Sequence, residues 1–103
     1  MHTSKLIILR GNSGSGKSTV AKKLREVSSR KIALVEQDVI RRGILKEKEA
    51  ADGDNIALIA QIVEFALSRG YDVILEGILN FQRYGDMLRK LRDLSSDIHV
   101  YYF

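Results

Sequence analysis

Short apolar runs alternate along the chain with longer segments in which apolar residues recur at helical spacing. Four of these runs are nearly continuous in apolar residues, which is typical of strands buried on both faces of a sheet. They are residues 5–10, 31–36, 72–76 and 97–103. The alternation of such strands with helices predicts an α/β fold with a parallel sheet in the middle of three layers, α/β/α.

The segments between the strands predict four helices. Their periodic apolar positions run from Val20 to Val27, from Val39 to Leu45, from Asn55 to Ser68 and from Tyr84 to Leu94. The third helix is apolar on two sides, with Phe65 on the second side, so we predict that it packs on both sides. Residues 46–55 are charged and lack a period, which predicts a loop and the most mobile part of the chain.

The first predicted strand runs directly into Gly11-Asn12-Ser13-Gly14-Ser15-Gly16-Lys17-Ser18, which fits the phosphate-binding pattern G-x-x-x-x-G-K-[ST]. Glycines allow successive backbone N–H groups to curve around a polyphosphate, and the next helix adds donors at its N-terminus. Lys17 is predicted to bind the β- and γ-phosphates and to assist catalysis, Ser18 to ligate Mg²⁺, and Thr19 to add a donor. We therefore predict that residues 11–19 bind ATP and Mg²⁺.

Two other phosphate loops fit these residues less well. A dinucleotide-binding fingerprint requires G-x-G-x-x-G, and Ser13 and Thr19 break that pattern in either register. Glu36 does lie where a ribose-binding acid would follow, but the glycines required before it are missing. A GTPase of the Ras type needs an N-K-x-D motif, and no asparagine of the chain begins one.

Two acids follow predicted strands, at the sheet edge where ligands of α/β proteins bind. Asp38 stands where an acceptor hydroxyl would approach the γ-phosphate, so we predict that its carboxylate orients the hydroxyl and takes its proton. The alternative for Asp38 is a helix cap. Glu76 ends the third strand, where an acid holds Mg²⁺ or its water; the alternative is a carboxylate bound to backbone amides.

Three arginines are candidate clamps for an anionic substrate or for the transferred phosphate. They are Arg41, Arg42 and Arg83. Arg41 and Arg42 diverge by about 100° on a helix, so only one of them is expected to face the site. A solvated surface charge is the alternative for each.

Composition limits the classes of function. The 103 residues are 45% hydrophobic, which predicts one globular domain over residues 1–103. Cysteine is absent, which excludes disulfides, thiol nucleophiles and cysteine metal sites. No segment approaches the length of a membrane span, so we expect no membrane partner and a cytoplasmic protein.

Charge is uneven along the chain and suits a phosphate-rich ligand. Residues 1–52 contain 12 Lys and Arg against 6 Asp and Glu, whereas residues 53–103 contain 5 against 7. An excess of positive charge attracts phosphates. An ordinary solvated helix face would give the same excess of Lys and Arg. Nucleic acid is the less favoured partner because no basic run is interleaved with aromatic residues.

The loop GNSGSGKST, the stretch from Gln37 to Arg42 and the stretch from Ile74 to Asn80 together resemble the P-loop kinases of the zeta-toxin and chloramphenicol-phosphotransferase type. The wider similarity is to small ATP-dependent kinases, including shikimate kinase and polynucleotide kinase. It covers essentially the whole chain. The resemblance implies a P-loop NTPase fold with the nucleoside-kinase-like strand order 2-3-1-4-5, ATP on the loop and Asp38 as the acceptor base.

Kinases of this type continue into an arginine-bearing lid, a fifth strand and an adenine-holding loop. The chain resembles their first half to two-thirds, so the resemblance implies a truncated core domain that holds the first four strands, binds nucleotide phosphates weakly and turns over little. The strand at residues 98–103 is then an edge without Lys or Pro. Such an edge is expected to pair with another copy of the chain.

These features together predict an ATP-dependent kinase that phosphorylates a hydroxyl of a small-molecule acceptor. The rival enzyme is a polynucleotide 5′-hydroxyl kinase. The rivals of other classes are a nucleotide-binding switch with no acceptor and an inactive fragment that retains only the fold.

Overall fold

The computed structural model describes residues 4–12, 14–48 and 53–103. Within these ranges the chain forms four strands, three α-helices and one π-helix. In chain order they are β1 (Lys5–Arg10), α1 (Lys17–Val27), β2 (Ile32–Glu36), the π-helix (Val39–Leu45), α2 (Asp54–Ser68), β3 (Asp72–Gly77), α3 (Phe81–Arg92) and β4 (Asp97–Tyr102).

The four strands form one parallel sheet in the order β2-β3-β1-β4. The register sets Leu6 beside Val73 and Ile98, and Ile32 beside Asp72. Every residue of β3 is buried, as expected for a central strand between two neighbours. The predicted α/β fold and the predicted order of the first four strands are confirmed.

Helices cover both faces of the sheet. Alternate side chains of a strand point to opposite faces, so Leu9 and Ile74 pack against Ala21 of α1 on one side. Leu6 and Ile8 face the larger cluster on the other side, to which α2, α3 and the π-helix contribute. The three predicted layers are therefore present, and α1 is the helix of the described ranges that packs against Leu9 and Ile74.

The helix predicted between Val39 and Leu45 is a π-helix. Ile40 is buried in the core, whereas Val39 and Ile44 are exposed, because the wider turn of a π-helix shifts the apolar positions away from the period of an α-helix. The next residue, Lys46, takes a left-handed backbone with φ of 51°. Lys46 is the residue that ends the π-helix.

Two details of the predicted helices are wrong. Phe65 of α2 is exposed rather than packed on a second side, and its ring lies 5.0 Å from the guanidinium carbon of Arg69. The loop predicted at residues 46–55 is shorter, because α2 begins at Asp54. Residues 49–52 of that loop lie outside the described residues.

Among the described strands, β4 pairs only with β1. Its residues from His99 to Tyr102 are exposed, as is Phe103. Within the four described strands β4 is therefore an outer strand, and its pairing with another copy stays a prediction. None of the helices in the described ranges is long and apolar enough to cross a membrane.

Candidate active site

The glycine-rich loop, residues 11–18, connects β1 to α1 and contributes the first residues of that helix. Gly14 and Gly16 have φ values of 76° and 95°, a region that only glycine occupies at little cost. Gly16 is the residue that precedes α1. Gly11 is needed for a further reason, since an added Cβ would lie 2.7 Å from the carbonyl oxygen of Phe103. Ser13 lies outside the described residues.

Lys17 begins α1 and is only 5% exposed. Its ammonium donates to the carbonyl oxygen of Asn12 at 2.7 Å and to the hydroxyl of Ser15 at 3.4 Å. An ammonium has three donors, so these contacts leave one for a phosphate oxygen. The lysine is therefore held beside the loop by the loop's own acceptors.

A cavity of about 430 Å³ opens beside the loop, at the carboxyl ends of the strands. Its lining residues come from the loop, from α1 and from the segments that end β2 and β3. They are Gly14, Gly16, Lys17, Ser18, Thr19, Glu36, Asp38, Glu76, Gly77 and Ile78. The structure thus brings the loop residues together with both of the acids singled out in the sequence.

Glu76 faces this cavity from the end of β3. It is buried, and its Oε2 accepts a hydrogen bond from the Ser18 hydroxyl at 3.3 Å. Burial, with a smaller contribution from the charge of Glu36, raises the pKa of Glu76 above its ordinary value. A hydroxyl and a carboxylate are oxygen ligands of the kind that Mg²⁺ takes together with nucleotide phosphates, so the residues present fit the predicted metal.

Glu36 also borders the cavity, directly beside Glu76 in the register of β2 and β3. The sequence offered Glu36 only as a ribose-binding acid. The sequence does indicate that Glu36 and Glu76 lie at the same edge of the sheet, because each of them ends a predicted strand. The pairing of those two strands was needed to set them side by side.

Asp38 lies just before the π-helix, and its side chain is 58% exposed. It makes no hydrogen bond that caps the helix, so capping does not account for this residue. Instead its Oδ1 lies 3.4 Å from an Arg41 guanidinium nitrogen and 3.8 Å from the Nε of Arg42. The carboxylate is accessible from the cavity and is flanked by two positive charges.

Three findings relate the chain to known proteins. Residues 6–100 match the sequence profile of the AAA domain family. The chain belongs to that family. An adenylyl-sulfate kinase of Bacillus velezensis is 33% identical over 96 residues, which are 87% of this chain and 49% of the relative. The chain spans about half the length of the curated relatives it matches.

Two solved structures share the fold of this AAA domain. One belongs to a Pnkp1/Rnl/Hen1 complex, with a TM-score of 0.81 and 23% identity over 100% of this chain and 36% of the other. The other is the Mycobacterium tuberculosis APS kinase CysC in complex with AMPPNP and APS. It has a TM-score of 0.76 and 24% identity over 99% of this chain and 63% of that protein.

The three candidate arginines of the AAA domain occupy different environments. Arg41 is buried, whereas Arg42 is exposed to solvent although it also approaches Asp38. Arg83 lines a separate cavity between α2 and α3, of about 350 Å³, together with Asp86 and Lys90. Arg83 is not among the residues that line the cavity beside the loop, and its role as a clamp stays a prediction.

Three buried polar residues and one half-buried acid form a hydrogen-bonded set beside Asp38 in the AAA domain. They are Gln37, Asn55, Tyr84 and Glu47, joined by hydrogen bonds of 2.6 to 3.0 Å. The sequence pattern marks Tyr84 only as an apolar helix position and Asn55 only as a helix start, so it does not predict this set. The available signal was a polar group at an otherwise apolar position, which in a core requires a partner.

Proposed function

We propose that this chain is the nucleotide-binding core of a kinase that transfers the γ-phosphoryl group of ATP to a hydroxyl of a small-molecule acceptor. One observation carries the proposal: Lys17 and Ser18, at the start of α1, border the same cavity as Asp38 and Glu76, which follow and end strands β2 and β3. Membership of the AAA domain family and the similarity to adenylyl-sulfate kinases support an ATP-dependent kinase in general.

The proposed reaction assigns a task to each group. The acceptor oxygen forms a bond to the γ-phosphorus while the bond from that phosphorus to the bridging oxygen of ADP breaks, and the hydroxyl proton passes to the carboxylate of Asp38. Lys17 and the loop N–H groups bind the phosphate oxygens. Ser18 and Glu76 would hold Mg²⁺, which supplies positive charge to those oxygens when bound.

The acceptor is expected to carry an anionic group. Arg42 is exposed and lies beside Asp38, so it is free of burial constraints and can turn toward a bound anion. Arg41 is less available, since its guanidinium donates to the carbonyl oxygen of Glu47 at 3.1 Å as well as contacting Asp38. Adenylyl sulfate, the substrate in the names of the curated relatives, is one acceptor of this class.

A polynucleotide 5′-hydroxyl kinase is the second candidate. The fold similarity to a chain of an RNA repair complex, with a TM-score of 0.78, favours it, and so does the positive charge of residues 1–52. Within the kinases, the zeta-toxin and chloramphenicol-phosphotransferase type stays our proposal, on the residues from Gln37 to Arg42. We also propose that residues 1–103 form one kinase core domain.

Transfer assays with labelled ATP and Mg²⁺ test the function. Parallel reactions contain adenylyl sulfate, a library of small alcohols and sugar acids, a 5′-hydroxyl RNA oligonucleotide, or no acceptor. We expect a labelled small molecule and little inorganic phosphate in the reaction without acceptor. Label on the RNA alone would identify a polynucleotide kinase, and phosphate released without any acceptor would identify a switch. ATP binding with no product in any reaction would identify an inactive fragment.

A further inference from the structure

Asp38 is connected to α2 through a buried arginine and a glutamate. Arg41 donates from one guanidinium nitrogen to Asp38 Oδ1 at 3.4 Å and from the other to the carbonyl oxygen of Glu47 at 3.1 Å. The carboxylate of Glu47 in turn accepts the backbone N–H groups of Asp54 at 2.9 Å and Asn55 at 2.6 Å. Glu47 thus caps the first turn of α2 from outside the helix.

A second path leads from α2 back to Asp38. The Asn55 side-chain amide donates to Glu47 Oε1 at 2.6 Å, and the Tyr84 hydroxyl donates to Asn55 Oδ1 at 3.0 Å. The Gln37 amide donates to the Tyr84 hydroxyl at 2.7 Å. Gln37 precedes Asp38 in the chain, so the two paths close a ring, here called the polar ring: Gln37, Asp38, Arg41, Glu47, Asn55 and Tyr84.

Burial makes the polar ring sensitive to the loss of any one bond. Gln37, Asn55 and Tyr84 are each at most 2% exposed. A buried polar group that loses its partner pays the full cost of its desolvation, so each bond supports the next. Hydrogen bonds from the Asn55 side chain and backbone lower the pKa of Glu47.

The segment from Gln37 to Glu47 has an apolar anchor in Ile40, which is buried in the core, and the polar ring adds a polar one. The segment contains the π-helix, whose Val39 and Ile44 face solvent, and the left-handed Lys46. On the sheet side, Gln37 is held against the backbone of β3, where a Cβ added to Gly77 would lie 2.7 Å from its Cβ. The polar ring fixes the segment on the helix side.

We propose that Tyr84 and Asn55 are positioning residues: acting through Gln37 on one path and through Glu47 and Arg41 on the other, they fix the place of Asp38 at the border of the cavity. Neither residue lines that cavity. The inference deepens the proposed function and rests on it, since Asp38 is the group that accepts the acceptor proton there.

Tyr84→Phe removes the hydroxyl shared by Gln37 and Asn55 and keeps the aromatic ring in the core. Tyr71→Phe is the matched control, because Tyr71 precedes β3 and its ring lies near the Lys31 ammonium, 5.6 Å away. In the 103-residue chain, we expect Tyr84→Phe to accelerate amide exchange of Glu47, Asp54 and Asn55 by about tenfold or more, without an equal change in β1 and β3. The dissociation constant of Mg-ATP should change by less than about twofold.

In the transfer assay, we expect Tyr84→Phe to lower kcat about 10- to 100-fold with an unchanged KM for ATP, the size of effect seen when a supporting hydrogen bond is lost. Glu47→Gln is the second variant. Glu47 is only half-buried, so the change is compatible with folding, and it replaces one acceptor with an amide group that cannot accept from Asp54. The same selective rise in exchange is expected.

Four outcomes separate the hypotheses. Unchanged exchange at Glu47, Asp54 and Asn55 in both variants would overturn the inference, as would unchanged transfer by Tyr84→Phe in an active enzyme. An equal rise in exchange throughout β1 and β3 would also overturn it, because Tyr84 would then serve stability alone. A selective rise in a chain that phosphorylates no acceptor would refute the proposed function and leave the anchoring of Asp38 in place.

Discussion

The glycine-rich loop at residues 11–18 and the acid-bearing segment at residues 36–47 border the same cavity, and each follows a strand. They differ in what holds them. The loop is shaped by its own backbone and by contacts between neighbours in the chain, such as the hydrogen bond from Lys17 to Asn12. The acid-bearing segment is held by side chains that come from α2 and α3.

This difference predicts that the loop determines nucleotide binding and that the acid-bearing segment determines the geometry of phosphoryl transfer. The hydrogen bonds from the Lys17 ammonium to the loop span at most five residues of sequence, and the Ser18 hydroxyl adds one long-range bond to Glu76. The bond from Gln37 to Tyr84 spans 47 residues. We therefore expect changes in the loop to alter phosphate affinity, and changes around the acid-bearing segment to alter the rate of transfer.

Asp38→Asn should give the largest effect. The amide retains the shape of the carboxylate and cannot take the acceptor proton, so kcat is expected to fall by about 10² to 10⁴-fold. The dissociation constant of Mg-ATP, measured by calorimetry, should stay within about twofold, since Asp38 is not part of the loop. Asp86→Asn is the control, because Asp86 is an exposed acid of α3 paired with Arg89. Transfer within a few-fold of wild type would assign Asp38 a structural role.

Lys17→Ala should mainly weaken nucleotide binding. Hydrogen bonds to charged groups contribute about 1.5–3 kcal/mol, so the affinity for Mg-ATP is expected to fall by roughly 10- to 100-fold. Loss of the bond to Asn12 adds a smaller destabilisation, about 1 kcal/mol, visible in thermal unfolding without ligand. Lys22→Ala, an exposed change in the same helix, is the control. An unchanged shift of the melting temperature by Mg-ATP would contradict the assignment of the loop.

The two regions also differ in how far the sequence predicts them. The residues of the phosphate-binding pattern lie within eight consecutive positions, and a pattern of that kind is visible in one chain. Asp38 and Glu76 could be found as well, because parallel strands bring their carboxyl ends to one edge of the sheet. The confirmed strand order came from the resemblance to kinases rather than from periodicity.

The polar ring and the arginines could not be predicted in this way. Whether a helical residue faces the site depends on how its helix is rotated on the sheet, and one residue changes the direction by about 100°. Arg83 and Tyr84 are adjacent on α3, yet Arg83 lines a separate cavity while Tyr84 reaches the Gln37 amide. The π-helix adds to the difficulty, since it shifts Val39 and Ile44 to the surface.

Two glycine substitutions should have opposite effects, one on the rate of transfer and the other on ATP affinity. Gly77→Ala places a Cβ 2.7 Å from that of Gln37, so overpacking is expected to cost about 1–3 kcal/mol and to displace Gln37. Transfer should slow while ATP affinity is kept. At Gly14 a Cβ meets no atom within 4 Å among the described residues, but φ is 76°. Gly14→Ala is therefore expected to cost about 1–2 kcal/mol and to weaken ATP binding.

The comparison of the glycine variants rests on the ratio of two measurements in each protein, kcat and the dissociation constant of Mg-ATP. Denaturant unfolding corrects both for loss of folded protein. Equal losses in kcat and affinity in both variants would mean that the loop and the acid-bearing segment move as one unit.

Glu76→Gln tests the residue that touches both regions, and its effects should be the smallest. Glu76 accepts from Ser18 of the loop and stands beside Glu36. Burial raises its pKa above the ordinary value of 4.5, so the folded chain binds this proton more tightly than the unfolded chain. The free energy of unfolding therefore falls as the pH rises from 4.5 to the raised pKa and is level above it.

Glu76→Gln removes that fall, so the ligand-free variant should be at least as stable as wild type near neutral pH and less dependent on pH on the acid side. Its affinity for Mg-ATP should drop by no more than about tenfold, because water can bridge the ion to the amide oxygen. Unfolding at several pH values, with calorimetry at two Mg²⁺ concentrations, measures both effects, and Glu64→Gln on the exposed face of α2 is the control. A drop in affinity alone would mean that Glu76 acts with the loop in nucleotide binding. A drop in kcat alone would mean that it acts with Asp38 in phosphoryl transfer. If the variant were less stable than wild type at neutral pH, the folded protein would favour the ionised form of Glu76. The statement that burial raises the pKa of Glu76 would then be wrong.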